Sequence, residues 1–332
     1  MKVRVAAESR HGASEDDAQA KGPATPGADT EGLPAAAVRD LRGRPLPMVY
    51  MSMLAMFVIV AAVYGLVVDD AYRLVPQLTR ETWRAQDAVT LATVPVLLWA
   101  TWRARAGSLS AHLVSVGILT WLTYGYAHLS IGAPFNAMFL VYVSVMSLAG
   151  FAMLDGLLRV DVAAVAPAFA HAPRRATAWF LAIAGAGIGV LWLSEIVVAL
   201  PGGLPKNIAL SELPNPTWVL DLGWIIPTAL AAALLLRRRH PAGPVLAGAM
   251  LVMLLTLSVT MLAVVPFALT AGLGTDPVVT QQLVVFAIVF TVLGGIEGWL
   301  LARARRRLGI VTSSWLRRGW WSERADRAEW LP

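Results

Sequence analysis

The chain contains no cysteine. That excludes disulfides, thiol nucleophiles, iron–sulfur clusters and cysteine-ligated zinc. Lysine is nearly missing: Lys2, Lys21 and Lys206 are the only three, and none lies in a long apolar run, which excludes a retinal Schiff base. Charge of either sign is thin. Charged residues make up 14% of the chain, against about 25% in a typical soluble domain. No GxxxxGKS or GxxxxGKT loop is present, so there is no Walker-type nucleotide site. HExxH is absent as well, and His112 and His128 fall at opposite ends of one predicted helix, a poor arrangement for one haem or metal. His171 and His240 fall in predicted loops and His11 in the N-terminal tail. No cofactor, no metal and no nucleic-acid partner are expected. The serines show no nearby His–acid grouping that spacing alone would define.

What remains is apolar. Hydrophobic residues make up 57% of the 332. A spanning helix needs about 20 mostly apolar residues. Eight such runs are legible: Pro47 to Val67, Asp87 to Trp102, Ser110 to Leu129, Phe135 to Leu157, Thr177 to Leu200, Thr217 to Leu236, Pro244 to Ala271 and Val279 to Ala302. The second is short and split by Pro95. The expected fold is all-α, a polytopic transmembrane helix bundle of about eight spans over residues 47–303. A polar stretch, 1–46, reads as a disordered tail. It lacks the features of a signal peptide, so the first span is expected to act as the targeting signal.

Arginine placement orients the bundle. Arg39, Arg42 and Arg44 precede the first run, and Arg103 and Arg105 follow the second. Arg159, Arg174 and Arg175 separate the fourth from the fifth, and Arg237, Arg238 and Arg239 follow the sixth. The alternate loops are much poorer in arginine. This bias places both termini in the cytoplasm of a bacterial inner-membrane protein and makes the number of spans even. The tail 304–332 mixes Trp with Arg, which suits either contact with anionic lipid on the inner leaflet or an ordinary basic cytoplasmic tail.

Ionisable groups within spans are rare and costly. Asp221 lies in the sixth run, about 6 Å below its outer end at 1.5 Å per residue. Glu195 lies at a similar depth in the fifth. His128 closes the third run and Asn136 opens the fourth. Spacing puts Trp121, Tyr124 and His128 on one face of the third helix, and Trp218, Asp221 and Trp224 in a stripe on the sixth. Lipid cannot hydrogen-bond such stripes, so they are expected to face the bundle interior. The expected site is an outward-facing polar cavity. In it Asp221 and Glu195 bind a proton, a cation or a basic group, with His128, Asn136, Tyr124, Trp218 and Trp224 around them. The competing explanation is interfacial anchoring, since Trp gathers at membrane surfaces. A further expectation is a kink at Pro227, which cannot donate to the Gly223 carbonyl.

Two stretches, YGYAHLSIGAPFNAMFLVYVSVMSL (Tyr124–Leu148) and NPTWVLDLGWIIP (Asn215–Pro227), carry a resemblance. They resemble segments of an uncharacterised family of bacterial multi-pass integral membrane proteins. The resemblance implies that Asn136 and Asp221 belong to that family's pattern, and it implies no activity. Three functions therefore stay open: a transporter-like or small-ligand-binding protein, a non-catalytic assembly, sensor or regulatory subunit, and an outer-leaflet enzyme using carboxylates.

Overall fold

The structure, a computed structural model, describes residues 48–201 and 216–328, with side chains as far as Arg306. The N-terminal tail and the side chains of the Trp-rich C-terminal segment lie outside the described residues. Among those described there is no strand. The long helices are α1 (Met48–Val67), α2 (Gln77–Arg105), α3 (Leu109–Gly132), α4 (Phe139–Leu158), α5 (Arg174–Ala199), α6 (Pro216–Arg237), α7 (Gly243–Thr270) and α8 (Pro277–Ala328). They match the eight apolar runs one for one. A short helix, Val162–Val165, and a 3-10 turn, Ala166–Phe169, bridge α4 to α5.

Six of these helices are long and apolar enough to cross a membrane: α1, α4, α5, α6, α7 and α8. The molecule is thus a multi-pass membrane protein. The other two, α2 and α3, are long but more polar, and for α3 packing accounts for the difference. Sixteen of the 24 residues of α3 are buried, and its neighbours are α2, α4 and α7. A helix enclosed by other helices need not present an apolar face to lipid. By contrast, only 17% of the apolar window is buried in α5 and in α8. Their outward residues, such as Ile183, Val190, Val197, Val285, Ile288 and Val292, are exposed. In water these faces would be an aggregation liability, and in lipid they are solvated.

Two helix starts differ from the apolar runs. α2 begins at Gln77, ten residues before the run at Asp87, because Pro76 sets its N-terminus. Its first turns carry Arg80, Glu81, Arg84 and Gln86, which hid them from a hydrophobicity reading. α4 begins at Phe139, so Asn136 sits in the turn before it. At the other end of α2, Gly107 has φ 88°, which lets the chain reverse within Ala106–Ser108. Ser108 then caps α3 by accepting from the Ala111 amide at 3.4 Å. At the far end, α8 continues as one helix through the stretch expected to be a tail.

Backbone polarity is handled within the helices. Thr120, Thr123, Ser130, Thr228, Thr256 and Thr260 each donate to the carbonyl four residues earlier. This is how hydroxyls are satisfied where water is missing. At the arginine-rich end, Arg237 stacks over Trp179 at 5.1 Å and Arg303 over Trp299 at 4.9 Å. An arginine over an indole face at this distance makes a cation–π contact.

Candidate functional site

At the end of the bundle where α3 and α5 finish and α6 begins, the side chains converge on Asp221. This carboxylate is 8% exposed. The Tyr124 hydroxyl of α3 donates to its Oδ1 at 2.8 Å. The Trp192 indole of α5 donates to its Oδ2 at 2.9 Å. Both oxygens are therefore engaged by neutral donors from two different helices. Among the described residues no ion pair reaches Asp221. Its negative charge has hydrogen bonds but no counter-charge.

The backbone is built around this point. Asp221–Ile225 forms a single π turn, in which the Ile226 amide donates to the Asp221 carbonyl. Pro227 follows at once. Proline has no N–H, so the α-register bond to the Gly223 carbonyl cannot form. Where a kink at Pro227 is expected, the structure has a π turn that shifts the register at Asp221. Among the described residues nothing lies within 4 Å of where a side chain would start at Gly223.

Aromatic rings surround the carboxylate. Tyr124 and His128 meet edge-on with centroids 4.5 Å apart, and Trp192 lies 6.3 Å from Trp218. Trp121 lies 6.4 Å from Tyr124. His128 is fixed by both ring nitrogens, Nδ1 to the Tyr124 carbonyl at 3.1 Å and Nε2 to the Thr217 hydroxyl at 3.0 Å. It thus ties α3 to the first turn of α6. The indole nitrogens of Trp218 and Trp121 are buried and have no acceptor among the described residues.

Of the seven residues expected at the site, Asp221, Tyr124, His128 and Trp218 come together. Glu195 is half-buried on α5, three residues beyond Trp192 and so on the same face. Trp224 is half-buried and packs against the main core one turn further in. Asn136 belongs elsewhere. Its Nδ2 donates to the Ala71 carbonyl at 3.4 Å and its Oδ1 accepts from the Met138 amide at 2.9 Å, so it joins a loop to the start of α4. Gln281 and Gln282 at the start of α8 are exposed, and Asp155 pairs with Arg159 at 2.6 Å at the end of α4.

A second buried carboxylate was not legible as such. Asp87 is 1% exposed, although the apolar-run reading placed it at the membrane boundary. The Tyr72 hydroxyl, from the α1–α2 loop, donates to its Oδ2 at 2.8 Å. Gly65 of α1 makes room: an added Cβ would stand 1.9 Å from Asp87 Oδ2 and 2.5 Å from the Tyr72 hydroxyl oxygen. Next to Asp87, Gln86 donates to the Gly125 carbonyl at 3.2 Å. The signal that was missed is Pro76, which starts a helix early enough to carry Asp87 well inside it.

The three consecutive residues Tyr124, Gly125 and Tyr126 connect the two carboxylate clusters. Tyr124 reaches Asp221 of α6, the Gly125 carbonyl takes Gln86 of α2, and Tyr126 donates to the Val58 carbonyl of α1 at 3.3 Å. A third buried carboxylate, Glu297 of α8, is 2% exposed and accepts from Ser258 of α7 at 2.9 Å. Among the described residues no group of three or more acidic or histidine side chains could hold a metal ion.

Comparison of the chain with known protein families, with curated proteins and with solved structures finds no match.

Proposed function

We propose that this multi-pass protein spans a bacterial inner membrane eight times, with both termini cytoplasmic, and that it binds a proton or a small cation at Asp221 in a transporter-like cycle. Eight helices long enough to cross a bilayer support the even count, and the more polar α3 is the one that other helices enclose. Arginines at the ends of α2 and α6, at the start of α5 and midway along α8 support one basic side, as the positive-inside rule requires. That side is then cytoplasmic, and Asp221 lies in the outer half.

The observation that carries the ligand is the uncompensated charge of Asp221. A carboxylate held by two neutral donors in a dry site is short of one positive charge. A proton or cation supplies it, and the ring of Trp192, Tyr124 and Trp218 is an environment that favours cations. The π turn gives α6 a place to change register, as discontinuous helices do in transport proteins. Glu195, one turn from Trp192, is placed to receive the ion at the outer end.

Because Trp192 donates to Asp221, its indole reports on the carboxylate. The full chain in nanodiscs is titrated with protons, Na⁺ and K⁺ while tryptophan emission is followed. A saturable change is expected that disappears in Asp221→Asn and in Trp192→Phe. A titration identical in wild type and Asp221→Asn would sink this reading and leave the assembly-subunit alternative in its place.

A further inference from the structure

The other end of the bundle holds a cavity of about 410 Å³. It is far from the carboxylates: its walls come from the end of α2, the starts of α3, α5 and α7, the end of α6 and the inner part of α8. Its polar lining is of one sign. Arg103, Arg174 and Arg305 line it together with Ser108, Ser110 and Thr177, and among the described residues no Asp or Glu does. The Arg174 Nε is buried and has no acceptor among the described residues. A buried guanidinium N–H without a partner is costly. The start of α5, where Arg174 sits, adds the positive end of a helix dipole. Deeper in, the lining turns apolar, with Leu113, Leu251, Leu255 and Leu301.

We infer that this cavity is a binding site for an anionic phospholipid of the leaflet on that side, its phosphate against Arg103, Arg174 and Arg305 and the upper part of one chain among the leucines. Three properties fit together. The charge is complementary to a phosphate, and planar guanidinium groups match its oxygens. The gradient from arginine rim to leucine floor is that of an amphiphile. The volume falls in the range of small-molecule sites, about 300–1,000 Å³, which is too small for a whole lipid and suits a headgroup with part of a chain. The neighbouring Arg237–Trp179 and Arg303–Trp299 stacks place this rim at headgroup level. The inference uses the membrane-embedded fold and makes no use of Asp221, so the two stand or fall separately.

The test is native mass spectrometry of the full chain, stripped of lipid in detergent, with dioleoyl phosphatidylglycerol, dioleoyl phosphatidylcholine or glycerol 3-phosphate added. One saturable phosphatidylglycerol adduct is expected, with much weaker binding of the other two. Arg103→Gln with Arg174→Gln should weaken it by about tenfold or more, as losing charge-assisted hydrogen bonds does. Arg237→Gln removes a charge at the same end but outside the cavity and should leave the adduct nearly unchanged. If the double variant does not fold, Arg305→Gln, at an exposed position, makes the same comparison. Equal binding of phosphatidylcholine would overturn the proposal. So would equal loss in Arg237→Gln, or glycerol 3-phosphate displacing the lipid at matching concentration, which would assign the site to a free small anion.

Discussion

Gly65→Ala is the smallest change that reaches the Asp87 cluster. The new methyl carbon would stand 1.9 Å from Asp87 Oδ2, 2.5 Å from the Tyr72 hydroxyl oxygen and 2.9 Å from Asp87 Cγ. No carbon–oxygen contact survives at such distances, so something must move. Rotating the carboxylate alone does not suffice, because its Cγ is also too close. Moving it breaks the Tyr72 bond and leaves a carboxylate that is 1% exposed without that donor. Overpacking costs about 1–3 kcal/mol and a hydrogen bond to a charged group about 1.5–3 kcal/mol. Together the expected destabilisation is about 3–5 kcal/mol. The assay is equilibrium unfolding in mixed micelles of rising SDS fraction, read by far-ultraviolet circular dichroism. The same substitution is then made in an Asp87→Ala background, where the methyl has space. There it should cost less by at least about 1 kcal/mol, the coupling expected of side chains in contact. If Gly65→Ala costs the same in both backgrounds, the carboxylate is not seated against α1.

Two other outcomes follow from geometry already described. The natural absence of cysteine gives a clean background for single-cysteine labelling with a membrane-impermeant maleimide. In right-side-out cells Arg73→Cys and Asp276→Cys should be labelled, and His240→Cys only after permeabilisation; labelling of all three before permeabilisation would refute the eight-span topology. Ser258→Ala removes the donor to Glu297, which is 2% exposed, and should destabilise by about 1–3 kcal/mol. Ser258→Ala with Glu297→Leu removes the polar pair together and should recover most of that loss in the same unfolding assay. No recovery would show that Glu297 has a role beyond this bond.

Helix number and approximate position were legible because lipid-facing helices need long apolar runs, and α1, α6 and α7 each follow their run to within one residue at either end. Where a helix is enclosed by others that requirement lapses. The first ten residues of α2 mix polar and apolar side chains, with Glu81 and Gln86 buried, and so its start and the burial of Asp87 were missed. The convergence of Tyr124, His128, Trp218 and Asp221 was legible from depth and helical spacing. The destination of Asn136 was not, because Pro134 and the turn after it delay α4 to Phe139 and aim the amide at the α1–α2 loop. The role of Trp192 was not legible, since spacing on one helix cannot reveal a donor to another. The basic cavity could not be read at all. It is assembled from the end regions of five helices and a middle stretch of α8, between Trp99 and Arg305, and none of these segments alone signals a cavity.

The enclosure of α3 bears on how the protein is made. A segment is partitioned into the bilayer according to its own apolarity, and α2 and α3 are the two helices least able to pass that test alone. They are consecutive, and the turn Ala106–Ser108 closes them into a hairpin. On the proposed topology this hairpin emerges from the ribosome when only α1 is available as a partner. Its lasting partners α4 and α7 follow, the latter more than a hundred residues later. The polar residues that build the interior therefore impose an order of assembly: α2 and α3 must be held beside the translocation machinery until α4 arrives, and the bundle closes only when α7 does.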